Sequence, residues 1–333
     1  MSNKKHVQLA GLGALNVDYI YRVPKILGDG EAPIEASGTF VGGSAANTIY
    51  ALAHLGMSTA FVGAIGDDPE GESVRRDMAG VGVNISGIVV KAGPTGRAVI
   101  LTEAGGHRAI YLSPGANSLL AWEDVNLALL NRAQYVHISS FLGVPQRKLQ
   151  ERLLSELTPA VKVSFAPGSV YSALGWKGLE VFLKRASIMF INASELRQLT
   201  GREVPSGAKR CHELGCETVV VTFGKGETLT ARPGLFLDCF VSQAGKEYFV
   251  PQPPTSATTL DTTGAGDAFA AGFLYGLVQE RDAEMCARIG GIMARMTITE
   301  LGARPGLPDP EQLAARYHEV FREPLMQQEK APA

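Results

Sequence analysis

The sequence predicts an α/β protein in which a mostly parallel sheet is covered by helices on both faces, with a small β-sheet lid beside it. Two observations predict the body. Short apolar runs ending in glycine or small polar residues alternate with amphipathic stretches along most of the chain. The runs are apolar at successive positions, as strands buried on both faces require. A third observation predicts the lid: at two places strand patterns follow one another with no helix between them.

In chain order, "HVQLAGLGAL" reads as the first buried strand and Glu31–Val41 as a lid strand. Ser44–Leu55 is an amphipathic helix, followed by the strand "TAFVGAIG" and a helix over Gly71–Met78. Gly96–Leu112 ("GRAVILTEAGGHRAIYL") reads as a hairpin of the lid, turning at Gly105-Gly106. The strands "YVHISS", "VKVSFAPG", "SIMFINAS" and "TVVVTFG" then alternate with helices over Pro145–Leu157, Ala193–Leu199 and Ser206–Leu214. There is no repeat and no long linker. The expectation is a single domain over residues 1–324, with lid strands at 31–41 and 96–112 and a disordered tail at 325–333.

Composition supports a large core: 45% of the 333 residues are hydrophobic and 19% charged, with a formal net charge of −2. Mixed charge of this kind argues against a nucleic-acid surface or a basic membrane patch. The N-terminal apolar run is short and broken by glycine, and Asp18 arrives early, so no signal peptide is expected. No window reaches the length of a membrane span. Cys211, Cys216, Cys239 and Cys286 match no zinc or redox spacing and read as buried small hydrophobes of a cytoplasmic protein.

Three glycine-rich stretches are candidates for holding a phosphate. "GLGALN" follows a strand but has Asn16 where a dinucleotide fingerprint has its last glycine, which weakens a dehydrogenase reading. "FVGGSAANTIYALAHLG" opens a helix after Gly42 and Gly43, without the lysine of a P-loop. In "DTTGAGDAF" the backbone from Gly264 to Asp267 turns sharply as a helix begins. Unpaired amides at such a start, reinforced by the helix dipole, form an anion site, and glycine lets a phosphate approach closely. Asp267 then reads either as a first-turn aspartate or as a general base for a hydroxyl attacking phosphorus, and spacing alone leaves both open. The dipole at the helix start would keep its carboxyl ionised.

The motifs "GALNVD", "GGSAANTIYALAHLG", "NASE", "VVVTFG", "DTTGAGDAFAAGF" and "GARPGLP" occur in an order that resembles the PfkB (ribokinase-like) carbohydrate kinases, over roughly Val7 to Pro308. That resemblance implies a ribokinase-like three-layer αβα sandwich with a β-sheet lid. It also implies ATP-dependent phosphorylation of a primary hydroxyl on a small sugar or ribosyl substrate. Gly264, Ala265 and Gly266 would form the anion hole and Asp267 the base. Asn16, Asp18, Gly42, Gly43 and Asn47 would bind the substrate, with Arg108 reaching in from the lid. Asn192, Thr222 and Gly224 would border the nucleotide, and Glu195 would hold Mg2+ through water. Asp261, Thr263 and Gly302 would form a site for a monovalent cation such as K+. Family members often pair through lid edges, which implies a homodimer.

The chain departs from the family pattern at several positions. Gly226 comes early and Glu227 stands where the next glycine is usual. Ala166 occupies the neighbourhood of an acidic or asparagine residue, Ser44 replaces a lysine, and Gly306 replaces a serine. The Ser44 change argues against simple ribose specificity. A nucleoside substrate is the alternative, for which Phe40 and Tyr111 are candidates to wall the base. A non-catalytic sugar or nucleotide sensor is the alternative of another class.

Overall fold

The computed structural model describes residues 7–103, 107–224, 236–243, 245–253 and 259–325. The predicted turn at Gly105-Gly106, the positions of Gly226 and Glu227, and all but the first residue of the predicted disordered tail lie outside them.

The strands run β1 Val7–Leu12, β2 Asn16–Arg22, β3 Ala36–Gly42, β4 Thr59–Gly66, β5 Asn84–Lys91, β6 Gly96–Thr102 and β7 Arg108–Ser113. They continue as β8 Ala133–Ser139, β9 Lys162–Ala166, β10 Ile188–Asn192, β11 Thr218–Thr222, β12 Leu237–Gln243 and β13 Lys246–Pro251. A nine-stranded sheet has the order β13-β12-β11-β10-β9-β8-β1-β4-β5. Its pairs are parallel from β11 across to β5, and an antiparallel β12–β13 hairpin closes one edge.

The helices of eight residues or more are α1 Ser44–His54, α2 Pro69–Gly80, α3 Val144–Glu156, α4 Ala193–Thr200, α5 Ser206–Glu213, α6 Ala265–Val278, α7 Ala283–Thr297 and α8 Pro310–Phe321. Successive strand residues serve opposite layers, because side chains alternate across a sheet. Leu9, Phe61 and Phe190 pack in the core beneath α1, α2, α6, α7 and α8. Their neighbours Ala10, Val62 and Met189 pack in a second core with α3, α4 and α5. The result is the three-layer αβα sandwich that the sequence implied.

The lid is a four-stranded sheet of order β3-β2-β6-β7. β2 pairs antiparallel with β3 and parallel with β6, and β6 pairs antiparallel with β7. One expectation is corrected here. The strand in "HVQLAGLGAL" is shorter than expected: β1 ends at Leu12, and just beyond the run Asn16 opens β2 in the other sheet. Asn16 and Asp18 are therefore carried by the lid. The lid strand predicted over Glu31–Val41 also starts later, at Ala36. α2 ties the lid to the body, since Glu70 accepts from the Tyr19 hydroxyl at 2.6 Å and from Arg97 at 2.8 Å.

Candidate active site

A cavity of about 940 Å³ lies between the lid and the C-terminal ends of the parallel strands. In an open α/β sheet the crevice beyond the strand ends is where ligands bind, because loops and helix N-termini converge there. Asn192 ends β10, Thr222 ends β11, and both reach the cavity, as does Gly224. Asn16, Asp18 and Arg108 enter from the lid, and Gly43 and Asn47 from the start of α1.

The "DTTGAGD" loop lies on the cavity wall. Gly264 is the residue before α6, with φ +76° and no side-chain cap. A Cβ there would stand 2.3 Å from the Ala303 Cβ, so both the backbone angle and the space demand glycine. The loop is anchored from beneath by Asp261. One of its oxygens accepts from the Thr263 amide at 3.0 Å and hydroxyl at 2.8 Å, and the other from the Gly302 amide at 2.9 Å. The Ala265 amide turns back to the Thr262 carbonyl at 3.3 Å, whereas the Gly264, Gly266 and Asp267 amides have no intramolecular partner among the described residues. These are the free donors that a helix start leaves for an anion.

Asp267, in the first turn of α6, is held from α1. The Ser44 hydroxyl donates to its Oδ1 at 2.8 Å, and Asn47 Nδ2 donates to its Oδ2 at 3.0 Å. The Thr48 hydroxyl reaches the Asp267 carbonyl at 3.3 Å. Burial pushes the Asp267 carboxyl up, against the donors Asn47 and Ser44 and the charges of Arg108 and Arg304. The outcome runs opposite to the ionising effect expected of the helix dipole alone. A raised carboxyl is the better proton acceptor for work near neutral pH.

Across the cavity Asp18 is 6% exposed, and its carboxyl is pushed up to about 7. Burial is the main cause; Arg304 opposes it, while Asp267 and Asp261 add to it. Gly42 does not line the cavity but backs this carboxylate: a Cβ at 42 would lie 2.1 to 2.4 Å from the Asp18 carboxyl atoms. Arg108 spans the mouth, donating to the Thr262 carbonyl at 2.9 Å and so fastening the lid to the glycine loop.

The profile of the pfkB family carbohydrate kinases matches residues 8–310. The chain belongs to the PfkB family. An uncharacterized sugar kinase of Archaeoglobus fulgidus is 34% identical over 260 residues, spanning 77% of this PfkB chain and 98% of the relative. An ATP-dependent ribose-1-phosphate kinase of Halopiger xanaduensis is 29% identical over 320 residues, 95% and 99% of the two chains. The crystal structure of adenosine kinase from Sinorhizobium meliloti superposes with a TM-score of 0.79 over 94% of this chain and 99% of that one, at 22% identity. Membership carries the general chemistry of the family, phosphoryl transfer to a sugar or nucleoside hydroxyl.

For the metal of a PfkB kinase the donors are sparse. Among the described residues no three His, Cys, Asp or Glu side chains gather at one point. Asn192 and Glu195 form a capping box: the Glu195 amide donates to Asn192 Oδ1 at 2.8 Å, and the Asn192 amide to Glu195 Oε2 at 3.2 Å. Glu195 nonetheless lines the cavity, and burial pushes its carboxyl up against the Asn192 backbone donor and Arg108. One carboxylate whose Oε1 lies outside the capping pair fits Mg2+ held largely by phosphate and water. The Asp261, Thr263 and Gly302 cluster is brought together, but its carboxylate oxygens already accept three hydrogen bonds. That arrangement fits a loop anchor.

Two expectations about a base wall are corrected. Phe40 packs in the small lid core with Leu301 and against Gly302, and Tyr111 is 63% exposed on the outer face of β7. Period-two alternation turns Ile110 and Leu112, not Tyr111, toward the cavity. Sequence reasoning also missed two supporting side chains. Asn117 accepts from the Leu15 amide at 2.9 Å and donates from Nδ2 to the Leu15 carbonyl at 3.0 Å and to Asn16 Oδ1 at 2.9 Å. With its oxygen thus engaged, Asn16 keeps its Nδ2 donors for the cavity. The other is Arg304, inside the "GARPGLP" motif, whose side chain reaches Asn47.

Proposed function

We propose that this kinase transfers the γ-phosphoryl of ATP to a primary hydroxyl of a small sugar or ribosyl compound. The observation that carries the reading is the Asp267 carboxylate, braced by Ser44 and Asn47 beside the free amides of α6 and facing Asp18 across the cavity. Asp18 and Asn16 supply an acceptor and a donor for neighbouring hydroxyls, which orients the acceptor so that its reactive hydroxyl meets Asp267. Asp267 takes the proton of that hydroxyl as it attacks. The Gly264 and Gly266 amides receive the negative charge of the transferring group, which is where preorganised donors lower the barrier most. Glu195 would hold Mg2+ through water and Asn192, Thr222 and Gly224 would border the nucleotide; the metal supplies charge neutralisation at the phosphates. Arg108, which fastens the lid to the glycine loop, would help exclude water and keep ATP from hydrolysis. The ribose-1-phosphate kinase relative supports a ribosyl acceptor.

A nucleoside acceptor is the second reading, favoured by Ile110, Leu112 and Leu142, which line the cavity yet are 45%, 41% and 46% exposed. An apolar wall of that kind suits a base better than a bare sugar. An ADP-release assay with MgATP against pentoses, hexoses, sugar phosphates and nucleosides separates the two, with Asp267→Asn as control. Turnover that the variant loses supports the kinase; ATP binding with no turnover across the panel favours a sensor. A lid-to-lid homodimer through the exposed Val99 and Tyr111 belongs to the same reading, and light scattering that gives a monomer at all concentrations refutes it.

A further inference from the structure

We infer that Arg304 is a positioning residue for phosphoryl transfer, acting through the Asn47 carboxamide to orient the carboxylate of Asp267. The inference rests on the kinase reading above. Arg304 is 8% exposed and is fixed on three sides. Its guanidinium pairs with Asp77 of α2 and stacks 4.3 Å from the centre of the Tyr50 ring of α1. Its Nε donates to Asn47 Oδ1 at 3.0 Å, and Asn47 Nδ2 donates in turn to Asp267 Oδ2 at 3.0 Å.

A carboxamide has an acceptor end and a donor end, and by itself Asn47 could present either to Asp267. Arg304 removes the choice. With guanidinium on one side and carboxylate on the other, the flipped amide would set –NH2 against a cation and C=O against an anion. Both contacts would be repulsive, whereas the observed orientation makes two charge-assisted bonds. Ser44 holds Oδ1 by a hydroxyl with no second side-chain partner among the described residues, whereas Asn47, on the other oxygen, is itself held by Arg304. The charge sets which end of the amide faces Asp267, and the Nε–H fixes where that end lies, because it is a donor on a rigid plane held by Asp77 and Tyr50.

The test is Arg304→Lys, which keeps the charge and removes Nε–H, compared with Asn47→Ala and the double variant in steady-state turnover. Arg304→Lys is expected to lower kcat on the order of 10²-fold, the effect of a misaligned catalytic group, with KM for MgATP within about twofold. The double variant is expected to be no slower than the slower single one, since both break one chain. Unchanged kcat in a folded Arg304→Lys, or losses that multiply in the double variant, would overturn the inference. If Arg304→Lys does not fold, Asp77→Asn, which loosens the outer anchor and touches no cavity residue, should lower kcat in the same sense. A second readout needs no turnover: the Asn47 side-chain amide resonances, assigned by their loss in Asn47→Ala, should shift in Arg304→Lys. Should the parent phosphorylate nothing, the kinase reading fails while this measurement still decides whether Arg304 orients Asn47.

Discussion

Asp18→Asn should stabilise the free protein above neutral pH while weakening acceptor binding. The carboxyl is buried, and its pKa stands at about 7 against an ordinary 3.8. Between those values the native state holds a proton that the unfolded chain has released, so folding takes up a proton and stability falls as pH rises through this window. Asparagine resembles the protonated acid and does not titrate. At about 1.36 kcal/mol per tenfold change in proton affinity, the gap reaches about 4 kcal/mol above pH 7 and vanishes below about pH 4. At about 2.1 cal/mol/K per residue, the 333-residue chain has an unfolding entropy of about 0.7 kcal/mol/K, so the gap equals about 6 °C in Tm. Thermal scans of both proteins without ligand, from pH 4.5 to 8, make the comparison. A Tm difference that stays constant with pH, or a variant less stable than the parent at pH 8, would refute burial as the source of the shift.

Other perturbations reach the site from different sides. Asp267→Asn should lower kcat by on the order of 10²–10⁴ and leave ATP binding by calorimetry intact. In the parent, burial raises Asp267, so the acid limb of kcat/KM should lie above the ordinary carboxylate range, activity rising with pH through it. Gly42→Ala would drive a methyl to within 2.4 Å of the Asp18 carboxyl. The acceptor KM should rise by about 10-fold or more, in keeping with the 1–3 kcal/mol of an overpacked site, while KM for MgATP holds. Asn117→Ala should cost about 2 kcal/mol in a denaturant titration, as buried partners lose their bonds, and raise the acceptor KM by freeing Asn16.

Much of the architecture was legible because the main strands are buried on both faces and interrupted by helices at regular intervals. The lid hairpin was legible because two strand patterns met without a helix. The first strand of the lid was not: Gly13, Ala14 and Leu15 join β1 to β2 without a turn signature, so the first strand read on through them and β2 went unread. The glycine loop and Asp267 were legible because their chemistry lies within one short motif. The positions of the supporting groups were not. Arg304 and Asn47 are 257 residues apart in sequence, and Asn117 and Leu15 are 102 apart. Neither arginine in a loop nor asparagine in a short 3-10 helix announces what it will touch. The aromatic residues chosen for a base wall failed for different reasons: Tyr111 alternates to the outer face of β7, whereas Phe40 shares the face of Asp18 but is taken up by Leu301 and Gly302.

The placement of Asn16 and Asp18 on β2 has a consequence for how the protein would sense an incomplete acceptor. The two side chains belong to the lid, whereas Asp267 and its amides belong to the body. On the proposed reading, an acceptor gripped by both would be the cement between the two sheets, not cargo in a finished pocket. A deoxy analogue lacking the hydroxyl that Asp18 receives would then lose turnover as well as affinity, because the missing bond is one that draws the reacting parts together.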